Sequence, residues 1–132
     1  MNRIEQIVNE INSGNTKPVY FLMGEEAFYI DKISNYIENN ILKEEEKGFN
    51  QMVLYGREVS IDDIIANAKR YPMMAEKQVV IVKEAQDLSR TIEQLVSYAE
   101  NPQPSTILVL CYKYKTLDKR KKLSKVIAKT GC

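Results

Sequence analysis

The chain has 132 residues, 44% of them hydrophobic and 28% charged, with a formal net charge of +1 and no histidine. That is the size of one domain with a real core, and the missing imidazole removes the commonest general base and metal ligand, closing off most hydrolase mechanisms. Cys111 in an apolar run and Cys132 at the last position make neither a disulfide framework nor a paired metal-ligand spacing. No apolar run reaches the roughly 18 residues that span a bilayer, and Arg3, Glu5 and Glu10 interrupt any secretory apolar region, so a soluble cytoplasmic protein is expected.

Ile4, Ile7, Val8 and Ile11 recur at helical spacing and Ser13-Gly14-Asn15 supplies a stop, which predicts a short opening helix. Val19 to Met23 is a continuous apolar run ended by Gly24, the pattern of a strand buried on both faces of a parallel sheet. Phe28, Ile30, Ile33, Ile37 and Leu42 form the stripe of a second helix, followed by an acidic stretch, Glu44-Glu45-Glu46, read as a solvated loop. The alternation repeats with a strand over 49–55, a helix over 60–70 capped by Ser60 with Asp62 and Asp63 in its first turn, and a strand over 78–83. A helix over 88–98, a break at Asn101-Pro102-Gln103-Pro104, a strand over 106–112 and a helix over 117–128 complete the pattern. Strands separated by helices indicate βαβ units, hence a three-layer α/β fold with a parallel sheet and helices on both faces. The sequence stops after a helix, where another strand is due, so a piece of a longer protein is expected.

Ligands of such sheets sit beyond the carboxyl ends of the strands, and the first strand-to-helix turn is where phosphate is cradled. A phosphate loop needs glycine at both ends, a lysine for the phosphates and a hydroxyl for magnesium. Here only Gly24 fits: Tyr29 stands at the second glycine position, Ile30 at the lysine and Asp31 at the hydroxyl. Glu25 and Glu26 occupy the turn itself, where they repel phosphate; their plainer reading is helix-start chemistry. The strand over 78–83 ends Lys83-Glu84, the outline of a magnesium-holding acidic pair with lysine in place of aspartate, and Glu84 is read as a loop residue. The fold is therefore of P-loop NTPase type without a working phosphate loop, with no cofactor or metal expected. The alternative is a nucleotide-binding domain with an aberrant turn.

The stretches PVYFLMGEEAFYIDKI, FNQMVLYGRE, RYPMMAEKQVVIVKEA and NPQPSTILVLCYKYKTLDKRKKL together resemble the N-terminal domain of the bacterial DNA polymerase III delta-subunit family. The resemblance covers nearly the whole chain in order, and the Tyr-Phe-Leu-x-Gly-Glu-Glu turn and the Leu-Asp-Lys-Arg-Lys-Lys-Leu segment are its most specific parts. It implies an AAA+ (RecA-like) domain spanning 1–132, with the helical lid and collar domains of the full subunit absent. It further implies a clamp-loader subunit that does not hydrolyse ATP, binds the beta sliding clamp and opens the ring. The partners implied are the gamma/tau and delta prime subunits, with DNA reached only through the complex and neither membrane nor small-molecule substrate involved. The family's clamp-binding element is an apolar pair on a helix before the third strand, which falls on Met73 and Met74, preceded by Tyr71 and Pro72. Many relatives carry Leu-Phe or Phe-Phe there; methionine keeps the bulk and adds adaptability. From the residues alone, the pair serves equally well to extend the core stripe of Ile61, Ile64, Ile65 and Ala68.

Residues 113–129 carry eight Lys/Arg against one acid. Lys119, Arg120, Lys121 and Lys122, with Tyr112 and Tyr114 nearby, have the makings of a nucleic-acid surface. The favoured reading is a solvated helix face or a contact with neighbouring subunits, since Leu117, Leu123, Val126 and Ile127 give that helix a core side.

Overall fold

The computed structural model describes residues 3–130, with side chains described for 4–128; Cys132, Gly131 and the side chains of Arg3 and Lys129 lie outside the described residues. The strands are β1 (Val19–Gly24), β2 (Gln51–Tyr55), β3 (Gln78–Lys83) and β4 (Thr106–Lys113). They form one sheet in the order β1-β4-β3-β2, every pairing parallel, as the apolar runs predict. The helices are α1 (Arg3–Ser13), α2 (Ala27–Asn40), α3 (Glu44–Asn50), α4 (Ile61–Ala68), α5 (Val96–Glu100) and α6 (Lys122–Thr130).

Period-two alternation of the strands divides the core in two. Val19, Phe21, Val80, Val82, Leu108 and Leu110 meet Ile61 and Ile64 of α4, Tyr98 of α5, and Leu123 and Ile127 of α6 on one face. Tyr20, Leu22, Val79, Ile81, Ile107 and Val109 meet Ile7 and Ile11 of α1 and Ile30, Ile33 and Ile37 of α2 on the other. Helices thus cover both faces. Tyr20 carries its hydroxyl to the rim, where it donates to Glu10 (2.9 Å) and accepts from the Lys17 amide (3.1 Å), tying α1 to the sheet.

Four expectations need correction. The acidic stretch is a helix, α3, because Glu44, Glu45 and Glu46 lie in its first turn, where they complement the dipole, and Glu46 accepts from the Lys43 amide (3.1 Å). The following strand therefore begins at Gln51, with Phe49 and Asn50 ending α3. The helix expected over 88–98 is instead two 3₁₀ turns, Ala85–Leu88 and Ile92–Leu95, leading into α5; the Thr91 hydroxyl donates to the Leu88 carbonyl (3.3 Å), offering the chain a local alternative to the helix. The last helix starts at Lys122 rather than at Leu117. Asp118 folds a turn instead: its side chain accepts from the Arg120 amide (3.0 Å) and its carbonyl from the Lys121 amide (3.0 Å).

No described helix is long and apolar enough to cross a membrane.

Candidate functional site

The carboxyl ends of the strands line one edge of the sheet, where the register sets Gly24 beside Lys113 and Tyr55 beside Lys83. Gly24 has φ 133°, a region open to glycine, and its carbonyl accepts from the Tyr114 amide (2.7 Å). Glu25 and Glu26 are exposed; Glu26 is the N-cap of α2 but makes no side-chain capping bond. Ile30, at the phosphate-lysine position, is 5% exposed and packs into the core, while Tyr29 is half exposed. The ends of β1 and α2 border a cavity of about 590 Å³ lined chiefly by Phe21, Leu22, Met23, Tyr29, Ile30 and Ile33, with Glu25 and Glu26 as its charged groups. Apolar walls and carboxylates are poor company for a phosphate.

Asp31 and Glu84, the two degenerate-site acids, are brought together by a third residue. The Lys113 ammonium lies 2.9 Å from Asp31 Oδ1 and 2.9 Å from Glu84 Oε2. Gln86 braces the group by donating to Glu84 Oε1 (2.8 Å) and accepting from the Lys113 amide (3.1 Å). Glu84 itself sits in left-handed backbone, φ 54°. The bond from Lys113 holds the Glu84 carboxyl below its ordinary range. Burial acts to lower Lys113, but the bonds to Asp31 and Glu84 together outweigh it and hold the ammonium charged above the ordinary lysine range. Lys83 does not join this group; it faces Glu38 at 3.7 Å. Among the described residues no set of three or more His, Cys, Asp or Glu side chains is placed to hold a metal.

A Lys113→Met variant should lose about 1 kcal/mol of stability, since it removes the donor shared by two partly exposed carboxylates, of which Glu84 keeps only Gln86. The depressed Glu84 contributes stability above its ordinary 4.5 and loses it as pH falls through the lowered value. The raised Lys113 contributes fully below its ordinary 10.5 and loses it as pH rises through the higher value. Urea unfolding of parent and variant should therefore differ most between those limits and converge towards strong acid; a pH-independent difference would exclude the ion pairs as its cause.

The second feature is the segment between α4 and β3. Helix α4 stops at Ala68, so the Met73–Met74 pair is not on a helix, a correction with a clear cause. Pro72 has no amide to donate and disfavours helical backbone at Tyr71. The buried Gln78 amide nitrogen lies within hydrogen-bond reach of the carbonyls at the helix end, nearest Arg70 O (2.7 Å), and the Thr106 hydroxyl donates to Ala68 O (2.6 Å). Nor does the pair extend the core: Met73 is 54% exposed, Met74 100% and Tyr71 77%, with Pro72 half-buried. Phe49, at the end of α3, is 75% exposed and lines a small cavity together with Met73. Tyr71, Met73, Met74 and Phe49 thus leave apolar side chains exposed in this segment and at the end of α3.

In the basic segment, Arg120 folds back on Asp118 (3.0 Å) and Lys122 pairs with Glu100 (3.1 Å), while Lys119 and Lys121 are exposed. Leu117, Leu123 and Ile127 are buried as the core side predicts. Sequence reasoning placed Lys113 only in this basic stretch; its position at the end of an apolar strand, level with Gly24, was the available signal for its other role. Asn50 and Gln78 carried no such signal.

Four parallel strands in the order β1-β4-β3-β2 with helices on both faces make an α/β fold of the AAA+-like kind. A Thermotoga maritima protein related to the DNA polymerase III gamma subunit has the same fold, with a TM-score of 0.62 at 16% identity over 99% of this chain and 44% of that one. The profile of the family "DNA polymerase III, delta subunit" matches residues 20–132, and the chain belongs to that family. The Bacillus subtilis (strain 168) DNA polymerase III subunit delta is 33% identical over 90% of this chain and 37% of its own length. The structure of the Bacillus subtilis DNA clamp loader delta protein YqeN superposes with a TM-score of 0.83 at 31% identity, over 97% of this chain and 40% of that one. The chain thus spans about two fifths of the length of these relatives.

Proposed function

We propose that this chain is the N-terminal domain of a clamp-loader delta subunit, and that it docks the Tyr71-Pro72-Met73-Met74 loop on the beta sliding clamp and helps open the ring. The observation that carries the reading is the complete exposure of Met74 beside a half-exposed Met73 on a loop whose ends are fixed. In this reading the domain takes no part in ATP hydrolysis. Asp31 and Glu84 are spent on Lys113, and the energy comes from partner subunits of the gamma/tau and delta prime kind. The basic residues Lys119, Arg120, Lys121 and Lys122 serve contacts with those neighbours or with DNA held by the complex.

Calorimetric titration of the chain with the cognate sliding clamp tests this directly. Binding is expected with or without Mg-ATP, with the same affinity in both. A requirement for nucleotide, or a melting temperature raised by Mg-ATP alone, would make the turn a nucleotide site after all, because a ligand specific for the folded state must stabilise it. No binding under either condition would remove the clamp from the reading.

A further inference from the structure

We infer that Asn50 is the positioning residue of the methionine loop, holding Met73 and Met74 in the shape that the partner receives; this rests on the clamp-docking reading above. Asn50 ends α3, is 3% exposed, and lies 23 residues before Met73. Its carboxamide meets the Met73 peptide at both ends: Oδ1 accepts from the Met73 amide (2.6 Å) and Nδ2 donates to the Met73 carbonyl (2.8 Å). Because one partner is a donor and the other an acceptor, the orientation of the carboxamide is determined. Nδ2 also donates to Glu46 O (3.0 Å), which fixes the bracket to α3.

The loop is thereby held at three points. Gln78 secures its start at the end of α4, Lys77 Nζ secures its end by donating to Pro104 O (3.0 Å), and Asn50 secures the middle. Directly after the bracket, Met74 adopts φ 57°, a left-handed conformation that persists in a large side chain only where the surroundings over-determine it. The result is two exposed methionines on a loop already ordered, beside Phe49 from the same helix end. Pre-ordering lowers the entropic cost of docking, so affinity should depend on a residue that the partner never touches.

The test uses the chain and three variants, Asn50→Ala, Met73→Ala/Met74→Ala, and the triple combination, titrated with the cognate sliding clamp. Asn50→Ala should weaken binding roughly tenfold or more. In the Met73→Ala/Met74→Ala background the same change should have little further effect, because a positioning residue acts through what it positions. Amide exchange followed by NMR should show Met73 slow in the parent chain and fast in Asn50→Ala, with the strand amides unchanged. Parent-like binding by Asn50→Ala, or an equal loss in both backgrounds, overturns the inference while leaving clamp docking intact. If Asn50→Ala fails to fold, a fast Met73 amide in the parent chain is still enough to overturn it. Should Met73→Ala/Met74→Ala bind as the parent does, the docking reading itself falls, and this inference with it.

Discussion

Met73→Asp/Met74→Asp is expected to lose at least about 100-fold in affinity for the sliding clamp while unfolding at nearly the parent temperature. Full burial of a methionine side chain stabilises by about 1.5–3 kcal/mol. Met74 has all of its surface to bury and Met73 about half, so docking both is worth roughly 2–4.5 kcal/mol, of the same order as the ~2.8 kcal/mol that separates a 100-fold change. Aspartate forfeits this and adds the cost of drying a charge against an apolar pocket. The folded chain loses little, because neither side chain belongs to the core and aspartate tolerates the left-handed backbone of position 74 better than methionine does. Titration calorimetry checks the affinity, and a thermal scan checks the fold. Parent-like affinity in a folded variant would place the contact elsewhere on the surface.

Gly56→Ala should be the most damaging small substitution, lowering stability by about 3 kcal/mol. Gly56 opens the 3₁₀ turn Gly56–Glu58 after β2 and is buried. A Cβ there would collide with the Glu84 carbonyl oxygen, and the Ala85 backbone lies just behind it at 3.4 Å. Relief would require moving main chain rather than a flexible side-chain tip. The displaced residue is the same Glu84 that already holds left-handed backbone and pairs with Lys113, so turn and ion cluster should loosen together. For a chain of this length the loss corresponds to a fall of roughly 10 °C in Tm. The urea midpoint should drop at unchanged slope. A variant as stable as the parent would mean that the β2 and β3 turns separate at little cost.

The strands were legible because each centres on an apolar run, dense in β-branched residues in β3, and burial on both faces of a parallel sheet asks for such runs. The departure of the β1 turn from the phosphate-loop pattern was equally plain, since its residues are consecutive and Tyr29, Ile30 and Asp31 stand where that pattern has glycine, lysine and a hydroxyl. Helix limits were harder to read. The acids at 44–46 look like a loop in isolation, yet at a helix N-terminus the same charges stabilise the first turn. The span 88–98 has helical spacing, but Thr91 bonds locally to Leu88 and the chain takes 3₁₀ turns instead.

The sequence by itself determined the layer architecture and the family, and it set Glu25, Glu26, Tyr29, Ile30 and Asp31 in and after the β1 turn, all of which follow from periodicity or from neighbouring residues. Tertiary structure decided that Lys113 joins Asp31 to Glu84, that Asn50 brackets Met73, that Gly56 must lack a side chain, and that the methionine pair stands on a loop rather than a helix. The first three join groups that chain order keeps apart. Local patterns report which face a residue turns to the core, whereas the partner it meets there is set by how the elements pack, and hydrogen bonds and ion pairs act only at contact distance.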